Sequence, residues 1–504
     1  LFCNNFKKDK LIYDSYYVYY GPKRLIFIFF NLKNEVDEIL IKGPNVKAPT
    51  KAIEGFARSQ KVKFDKLDIK RTEKGSYYII KKKITSSDTI ALLKNIMEVN
   101  LVKVPWKKSM RWGSGSLKWI RPLKNVLCLY GAKKINIDLQ GNSSRNYTLH
   151  SNLFSEKKIQ IKSFNDYEQK LKRINIYFDH KERKNIILKK VDRVTKKNGL
   201  NFVMNQQLID EVVNLVESPN VFLGQFDKKY LKLPNEVLTT SMIKNQKYFP
   251  LFYKNNTLSN FFIIVSNLKP SDNGKKIIYG NQRVIEARLE DASFFWMKDN
   301  SSNFKDKGEE LKRIIFHNKL GSMYDKILRL KKIAIFFAEN IKLEIESKRN
   351  LDVSINICKN DLVTELVREF PALQGIMGYY YSQQSDFNKV VCSAIKDHYK
   401  PYGPNDSCPS TKLSQILALI DKMDSLVGFF LIDLGPTSSK DPYALRRSGL
   451  GIIRIIIEGK FYIKLNQFIK NSIREYSKKV PLSDKNFEKY KNKILIFILE
   501  RFEN

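Results

Sequence analysis

The sequence predicts an α+β multidomain protein with a mixed α/β N-terminal half and an all-helical second half. At the usual ~100–200 residues per domain, 504 residues correspond to roughly three to five domains. Strand-like runs of aromatic and branched residues recur up to about residue 267. From about residue 284 the apolar residues instead recur with the 3.6-residue period of a helix.

The first half opens with a predicted β-hairpin. Tyr16–Tyr20 and Arg24–Leu32 are rich in aromatic and branched residues, and Gly21-Pro22 separates them as a turn. Thr50–Ser59 has helical spacing. The remaining predictions for this half are strands within 61–85, a helix at 88–100, a strand at 126–130, mostly helix over 164–215, and strands and turns over 219–267.

The second half is predicted to consist of amphipathic helices. The expected buried faces include Val284, Ala287, Ala292 and Phe295, and later Ile416, Leu419, Ile420 and Met423. Ser483 is placed to cap a last helix. Polar stretches suggest three domains, at 1–305, 306–460 and 461–504, the last being a linker and the first helix of a further helical domain.

The net charge is +38, from 90 basic and 52 acidic residues. Such an excess creates a positive field that attracts polyanions such as nucleic acids. The excess is largely Lys in a chain rich in Ile, Asn, Phe and Tyr, so an AT-rich genome would also produce it. The lysines are spread along the chain, whereas a membrane-surface role needs a concentrated basic segment.

The cysteines predict a reducing, cytoplasmic setting. Their number is odd, their spacings are wide and no pair forms C-x-x-C, which argues against disulfides and a zinc ribbon. They are Cys3, Cys128, Cys358, Cys392 and Cys408. No apolar run reaches the ~20 residues that span a bilayer. Because the chain starts at Leu1 without Met, we expect it to be an internal piece of a longer product.

Common catalytic motifs are missing from the sequence. It contains no phosphate-binding G-x-x-x-x-G-K-[ST], no G-x-G-x-x-G and no G-x-S-x-G. Lys422-Met423-Asp424-Ser425 superficially resembles the lysine-bearing loop of class I tRNA synthetases, but it falls within a helical pattern. We interpret it as part of a plain amphipathic helix, and we expect no catalytic residue on this chain.

Four segments combine cations with turn or aromatic residues, a pattern suited to RNA because Arg grips phosphate and aromatic rings stack on bases. Each segment also has a structural interpretation as a turn, a core strand or a solvated helix. The candidate RNA-binding residues are Arg111, Trp112, Arg121, Lys244, Lys247, Arg283, Arg288, Arg446 and Arg447.

Two of these segments carry predictions of local structure. Arg283 is expected at a helix start, where the dipole disfavours a cation, and Arg288 is expected to pair with Asp291 three residues on. Asp441 is expected to be an N-cap with Pro442 at the first helical position.

A further set resembles the metal-binding residues of HD-type phosphohydrolases in order and spread. It comprises His317, Asp361, His398 and Asp421. Such enzymes need an adjacent His-Asp pair to hold a metal that activates water. Asn360 precedes Asp361 here, and an amide is a poor transition-metal ligand. We therefore expect a degenerate scaffold without a metal.

Taken together, eight segments resemble the beta chain of bacterial glycyl-tRNA synthetase in order and spacing. They are Gly21 to Leu25, Lys51 to Arg58, Met110 to Gly113, Lys244 to Pro250, Gly280 to Phe295, Asp361 to Gly378, Asp421 to Gly428 and Asp441 to Arg447. Each is weak alone, but eight in register across almost the whole chain are specific. A Gly-Thr-Glu-Glu-Leu-Pro signature usual at the start of the family is missing, and the family usually continues well past Asn504.

The resemblance implies a function and a division of labour. The family works as two alpha and two beta chains in the cytoplasm. The alpha chain holds the aminoacylation site, which uses ATP and Mg, and the beta chain binds and positions tRNA-Gly without a cofactor of its own. The resemblance also implies an N-terminal half like part of the phenylalanyl-tRNA synthetase beta chain, a degenerate HD domain and a truncated anticodon-binding domain. The alternatives are a free-standing RNA-binding protein and an HD-type metal phosphohydrolase.

Overall fold

A computed structural model describes residues 2–34, 38–72, 75–83, 86–151, 156–438 and 440–502. The chain forms two compact units, each of which draws on separate parts of the sequence. Unit 1 comprises Leu1–Val194, Met204–Phe222 and Val265–Gly274. Unit 2 comprises Thr195–Val203, Leu223–Ile264 and Lys275–Asn504. The domain limits at 305 and 460 stay predictions.

The α-helices are distributed along the whole described part of the chain. They are α1 Phe2–Lys8, α2 Thr50–Ser59, α3 Ser86–Leu101, α4 Phe164–Arg173, α5 His180–Asn198, α6 Gln206–Val213, α7 Asn235–Thr240, α8 Lys275–Asn300, α9 Met323–Asn340, α10 Ile345–Ile357, α11 Glu365–Glu369, α12 Ile376–Gln384, α13 Lys389–Asp397, α14 Lys412–Leu431, α15 Leu445–Glu458, α16 Leu465–Arg474 and α17 Asp484–Leu499.

The strands, by contrast, lie before residue 323 and form small antiparallel sheets. They are β1 Leu11–Ile12, β2 Ser15–Tyr20, β3 Leu25–Phe30, β4 Lys33–Asn34, β5 Glu38–Asn45, β6 Asp68–Thr72, β7 Gly75–Lys83, β8 Leu129–Tyr130, β9 Lys133–Lys134, β10 Asp138–Leu139, β11 Asn142–Ser143, β12 Tyr147–Ser151, β13 Glu156–Gln160, β14 Asn201–Phe202, β15 Asn220–Gln225, β16 Phe249–Phe252, β17 Leu258–Ser266, β18 Ile315–His317 and β19 Gly321–Ser322.

The predicted hairpin is confirmed in unit 1. β2 and β3 pair in full register from Ser15↔Phe30 to Tyr20↔Leu25, with the turn at Gly21-Pro22. Aromatic and branched residues favour such a pleated ribbon. One side of β3 packs on a core formed by α1, α3 and the strand region near 135, whose buried members are Phe2, Phe6, Leu11, Leu93, Ile96, Ile135 and Ile137.

A buried arginine ties together the other end of the hairpin. The side chain of Arg183 in α5 is fully buried. Its guanidinium donates to the carbonyl oxygens of Tyr20 (2.7 Å), Tyr177 (2.8 Å), Phe178 (2.7 Å) and Val213 (3.0 Å). Because buried carbonyl groups need donors, this one side chain anchors the hairpin turn, the segment before α5 and the end of α6 to each other.

The main sheet of the chain has strand order β14-β16-β17-β15. Long helix α8 follows it and begins at Lys275, about nine residues earlier than the predicted change of period near 284. Its buried residues are Ile285, Leu289, Ala292 and Asp299. Of the predicted face only Ala292 is buried, since Val284 and Ala287 are exposed and Phe295 is half-buried.

Beyond residue 323 the described elements are helical, apart from an isolated bridge between Thr437 and Lys440. Helix α14 is buried on nearly all sides, and the predicted apolar residues Ile416, Leu419, Ile420 and Met423 are all in its core. The prediction that Ser483 caps the last helix is confirmed, because its hydroxyl accepts from the Asn486 amide at 3.4 Å.

The α+β class is therefore confirmed. Two predictions are wrong, because β18 and β19 pair within the region predicted to be all-helical, and α7 and a π-helix at Ser241–Gln246 lie within the region predicted as strands and turns. The helix at Thr50–Ser59 has the predicted bounds. The strand at 126–130 is reduced to Leu129–Tyr130, and Phe64 lies in a 3₁₀ turn. Residues 73, 74, 84 and 85 of the predicted strand region, Leu1 at the start of the chain and the chain end at Asn504 lie outside the described residues.

Two compositional predictions can be compared with the structure. All five cysteines are free thiols, as their spacing predicted. Within the described part of the chain, every helix is too short or too polar to cross a bilayer.

Candidate nucleic-acid interface and a buried charge cluster

The first candidate segment is a loop of unit 1 closed by a two-residue bridge. Met110 and Trp119 exchange backbone hydrogen bonds of 2.8 and 3.1 Å. Arg111 and Arg121 are exposed, and Trp112 is half-buried. Neither arginine forms an ion pair with a residue that the structure describes. The loop can therefore present two unneutralised cations to an external anion.

In unit 2 the second and third segments lie together. The Tyr248 hydroxyl donates to Asn281 Oδ1 at 2.6 Å, which joins the turn of π-helix Ser241–Gln246 to α8. Lys244 and Arg283 are exposed. Lys247 is half-buried with φ 60°, at the end of that turn. Because the two segments are distant in sequence, their proximity is visible only in the structure.

Two predictions about α8 are wrong. Arg283 is not at the helix start, because α8 begins at Lys275 and places Arg283 in its third turn, over the Tyr279 ring at 5.8 Å. The argument from an unfavourable dipole position therefore fails. Arg288 does not pair with Asp291 but with Glu369 of α11, at 3.1 Å. Arg288 therefore pairs with a residue of another helix instead of the predicted neighbour in its own helix.

The segment before α15 is also capped differently from the prediction. The helix starts at Leu445, and Ala444 with φ 56° occupies the N-cap position, so neither Asp441 nor Pro442 has its predicted place. The Asp441 carboxylate still accepts from the amides of Leu445 (2.8 Å) and Arg446 (3.0 Å), which satisfies two donors at the helix start.

The two arginines of this segment differ in their surroundings. Arg446 is half-buried, and its Nη2 donates to the Thr437 carbonyl at 2.5 Å. Arg447 is exposed and forms no ion pair with a described residue. Of the pair, Arg447 is therefore the one available to an external partner.

Two of the four HD-type positions, His398 and Asp421, come together in the core of unit 2 around a residue that the sequence analysis did not single out. Lys359, almost fully buried, places its ammonium 2.9 Å from His398 Nε2 and 3.1 Å from Asp421 Oδ1. Because an ammonium can only donate, His398 Nε2 accepts, and Nδ1 carries the proton donated to the Ile395 carbonyl at 2.6 Å. A lysine cation thus lies between the two potential metal ligands.

The cluster continues through α9 and α14. Lys326 contacts Asp421 at 3.2 Å and Asp424 at 3.1 Å, and Arg329 Nε donates to Asp424 at 2.8 Å. All of these side chains are buried. The rejection of the class I lysine loop is confirmed, because Lys422 and Asp424 lie inside α14 and face the core.

The remaining HD-type positions have separate roles. Asp361 Oδ2 accepts from the amides of Gly375 (2.5 Å) and Gly378 (3.1 Å). Asn360 Nδ2 donates to the Phe304 carbonyl at 2.9 Å. His317 lies outside the cluster, edge-on to Phe429 and Tyr443, and no described contact joins it to Asp361, His398 or Asp421.

Burial and neighbouring charges set the protonation states of the cluster. Burial, assisted by Lys359, lowers the pKa of His398 to about 3, so the imidazole is neutral. Burial raises the pKa of Asp361 to about 6, against the opposing effect of its two amide donors. Burial also opposes ionisation of Asp421, but Lys326 and Lys359 together hold the pKa of that carboxyl below its usual range.

The arrangement is suited to holding helices together. Lys326, Arg329 and Lys359 form ion pairs with Asp421 and Asp424, and Lys359 also lies near enough to Asp361 to favour its ionised form. Among the residues that the structure describes, no group of three or more His, Cys, Asp or Glu could hold a metal ion. A buried lysine such as Lys359 cannot be recognised from the sequence, where it is only a Lys next to apolar residues.

Comparison with known proteins gives a consistent set of relatives. The model of a family described as "Glycyl-tRNA synthetase beta subunit" matches residues 1–504. A glycine–tRNA ligase beta subunit of Rickettsia bellii (strain OSU 85-389) is 37% identical over 503 residues, covering 99% of this chain and 74% of the relative. That of Rickettsia prowazekii (strain Madrid E) is 38% identical over 479 residues, covering 94% and 70%.

These relatives are all subunits of one class of enzyme, the aminoacyl-tRNA ligases. Within that class, the chain belongs to the family of glycyl-tRNA synthetase beta subunits.

Proposed function

We propose that this chain binds and positions tRNA-Gly for aminoacylation at the active site of a separate alpha subunit. The observation that carries the proposal is the family match over residues 1–504. The +38 charge supports it, because cations that neutralise RNA phosphates release counterions and so drive binding. ATP and Mg are used at the alpha subunit, two alpha and two beta chains form the enzyme, and the assembly works in the cytoplasm.

The structure supports an interface on exposed cations rather than in a buried site. Arg111 and Arg121 of unit 1, and Lys244, Arg283 and Arg447 of unit 2, are exposed. By contrast, the guanidinium of Arg288 is engaged by Glu369 and that of Arg446 by the Thr437 carbonyl. We therefore rank the exposed group above these two as RNA contacts.

The proposal includes an evolutionary interpretation of the three predicted domains. We interpret residues 306–460 as a degenerate HD-like domain, because two of its four characteristic positions, His398 and Asp421, contact Lys359. We interpret 1–305 as resembling part of the phenylalanyl-tRNA synthetase beta chain and 461–504 as the start of a helical anticodon-binding domain. The HD-type phosphohydrolase is not favoured, since a lysine cation lies where its metal would be needed.

Glycine charging of tRNA-Gly tests the proposal. We expect no charging by this chain alone or by a glycyl-tRNA synthetase alpha chain alone, and charging by the mixture with ATP and Mg. Charging by the isolated chain would overturn the division of labour. A mixture that stays inactive although both proteins are folded would overturn the assignment of tRNA positioning to these 504 residues.

A salt titration of tRNA binding distinguishes a functional RNA interface from a lysine excess that only reflects genome composition. Binding should weaken steeply with salt, because the slope of log K against log salt grows with the number of phosphates neutralised. Arg447→Ala should weaken tRNA binding several-fold without changing the melting temperature, and Arg446→Ala is the matched neighbour. An equal effect of both substitutions would contradict the ranking.

A further inference from the structure

Unit 1 contains a small cavity at the end of the hairpin that no part of the proposed function uses. Its volume is about 40 Å³, and its lining includes Lys23, Arg24, His150, Glu217, Ser218 and Asn267. One water needs roughly 10–15 Å³ of such space, so the cavity holds about three water-sized groups. A tetrahedral oxyanion is of similar size.

The walls of the cavity are held in place by buried hydrogen bonds. Arg183 anchors the residue before the turn, through the Tyr20 carbonyl, and the end of α6, through the Val213 carbonyl. Asn267 Oδ1 accepts from the amides of Glu217 (2.7 Å) and Ser218 (2.9 Å). These hydrogen bonds fix the hairpin turn and the segments around 217 and 267 relative to each other, as a preorganised site requires.

The polar groups around the cavity are mostly donors. Because Asn267 Oδ1 is occupied by two amides, its Nδ2 is left as the polar end of that side chain and can only donate. Arg24 gives one N–H to Glu217 and another to the Leu149 carbonyl at 2.5 Å, while its Nε is buried without a hydrogen-bond partner among the described residues. Lys23 is exposed and forms no ion pair with a described residue.

The charges of the lining do not cancel. Glu217 neutralises Arg24 through their ion pair, which leaves the Lys23 ammonium in excess. Ser218 adds a hydroxyl that can donate or accept. An anion with several acceptor oxygens fits such a lining, and a cation does not.

A second group of cations begins at Lys190, which contacts the segment after Ser218. Lys190 Nζ donates to the carbonyl of Pro219, the residue after Ser218, at 2.7 Å. Its pKa is lowered by burial and by the nearby charges of Arg193 and Lys269. Both of these are exposed, and neither forms an ion pair with a described residue. Like charges gathered in this way repel each other until an external polyanion neutralises them.

We propose that the cavity at Lys23, Ser218 and Asn267 is a phosphate-binding subsite for the RNA backbone, with Lys190, Arg193 and Lys269 neutralising neighbouring phosphates. The proposal rests on the tRNA-binding function proposed above. A free phosphate would satisfy the cavity alone, whereas the second cation group fits the repeated charges of a polynucleotide.

Two binding measurements on the full chain test the proposal. The first is line broadening of the ³¹P signal of inorganic phosphate, and the second is tRNA affinity as a function of salt. The variants are Lys23→Ala, Ser218→Ala and Asn267→Asp. Lys47→Ala is the matched control, because Lys47 is an exposed lysine of unit 1 without an ion pair to a described residue. Melting temperatures exclude variants that fail to fold.

We expect each pocket variant to abolish the broadening. Lys23→Ala should weaken tRNA binding several-fold more than Lys47→Ala and reduce the salt slope by roughly one phosphate contact. Equal effects of Lys23→Ala and Lys47→Ala, with unchanged broadening, would overturn the subsite and leave the proposed function standing. Loss of broadening without any change in tRNA affinity would overturn the RNA assignment in favour of a free phosphate. No tRNA binding by the unaltered chain would instead overturn the proposed function itself.

Discussion

The core of unit 2 and the cavity region of unit 1 handle positive charge in opposite ways. In the core of unit 2, three buried cations, Lys326, Arg329 and Lys359, form direct ion pairs with the buried carboxylates of Asp421 and Asp424. In unit 1, the cavity at Lys23 and the group at Lys190 and Lys269 keep cations that no described carboxylate neutralises. The same type of residue is therefore compensated in one region of the chain and left uncompensated in the other.

The difference shows where to look for function in a basic protein. A buried charge must be compensated when the chain folds, because an uncompensated one costs several kcal/mol. Once compensated, it has little capacity left for a ligand. An exposed cation near other cations costs less and stays available, so the RNA-binding capacity is expected on the surface of the units and not in their most charged core.

The strongest test of the difference between compensated and uncompensated cations is the substitution Asp424→Asn in unit 2. Asp424 is fully buried and contacts both Lys326 and Arg329. Replacement by a neutral amide of the same shape should lower the free energy of unfolding by about 3–5 kcal/mol, since it leaves buried cations without their counter-charge. Urea unfolding followed by circular dichroism measures the loss.

The control for this substitution is Asp352→Asn, at an exposed carboxylate of α10. It should change stability by no more than about 0.5 kcal/mol. If Asp424→Asn also falls within that range, the buried cluster is not what holds the helices together, and the contrast between the units disappears.

A second prediction concerns the pH dependence that His398 gives to stability. Its folded pKa of about 3 lies below the ordinary value of 6.5, so below pH 6.5 the unfolded state binds a proton that the folded state does not. Stability is therefore fully present above pH 6.5 and is lost as pH falls toward 3, by up to about 1.4 kcal/mol per pH unit.

Asp361 acts in the opposite direction. Its folded pKa of about 6 lies above the ordinary value of 3.8, so its contribution is present below pH 3.8 and is lost as pH rises through 6. The His398→Gln variant isolates the histidine, because Gln does not titrate and can still accept from Lys359. Between pH 7 and 5 the unaltered chain should lose stability faster than this variant. Equal slopes would mean that His398 binds its proton equally well in the folded and unfolded states.

These charges also show what sequence reasoning could and could not find. Local patterns were sufficient for the hairpin around Gly21-Pro22 and for the helix Thr50–Ser59. Lys359 could not be predicted, because its partner His398 lies 39 residues away and nothing local requires a cation there. The start of α8 was missed because Gly280 interrupts the apolar pattern within its first turns.

The candidate RNA-binding residues divide in the same way. Their residue types were readable from the sequence, but their availability depends on tertiary partners. Arg446 donates to the carbonyl of Thr437, which lies outside its own helix, and only the structure separates it from the exposed Arg447. The cavity at Lys23 joins five segments that are distant in sequence, so the motif Gly21 to Leu25 by itself carries no sign of it.

The smallest expected effect comes from the surface ion pair that replaced a predicted local one. Arg288 and Glu369 are each more than a third exposed, so solvent screens their attraction. A double-mutant cycle on Arg288→Ala and Glu369→Ala should give a coupling of about 0.2–1 kcal/mol that shrinks as salt is added. The cycle with Asp291→Ala in place of Glu369→Ala should give a coupling near zero, because Asp291 forms no described ion pair with Arg288. A larger coupling to Asp291 would restore the local helical pair and remove the contact between α8 and α11.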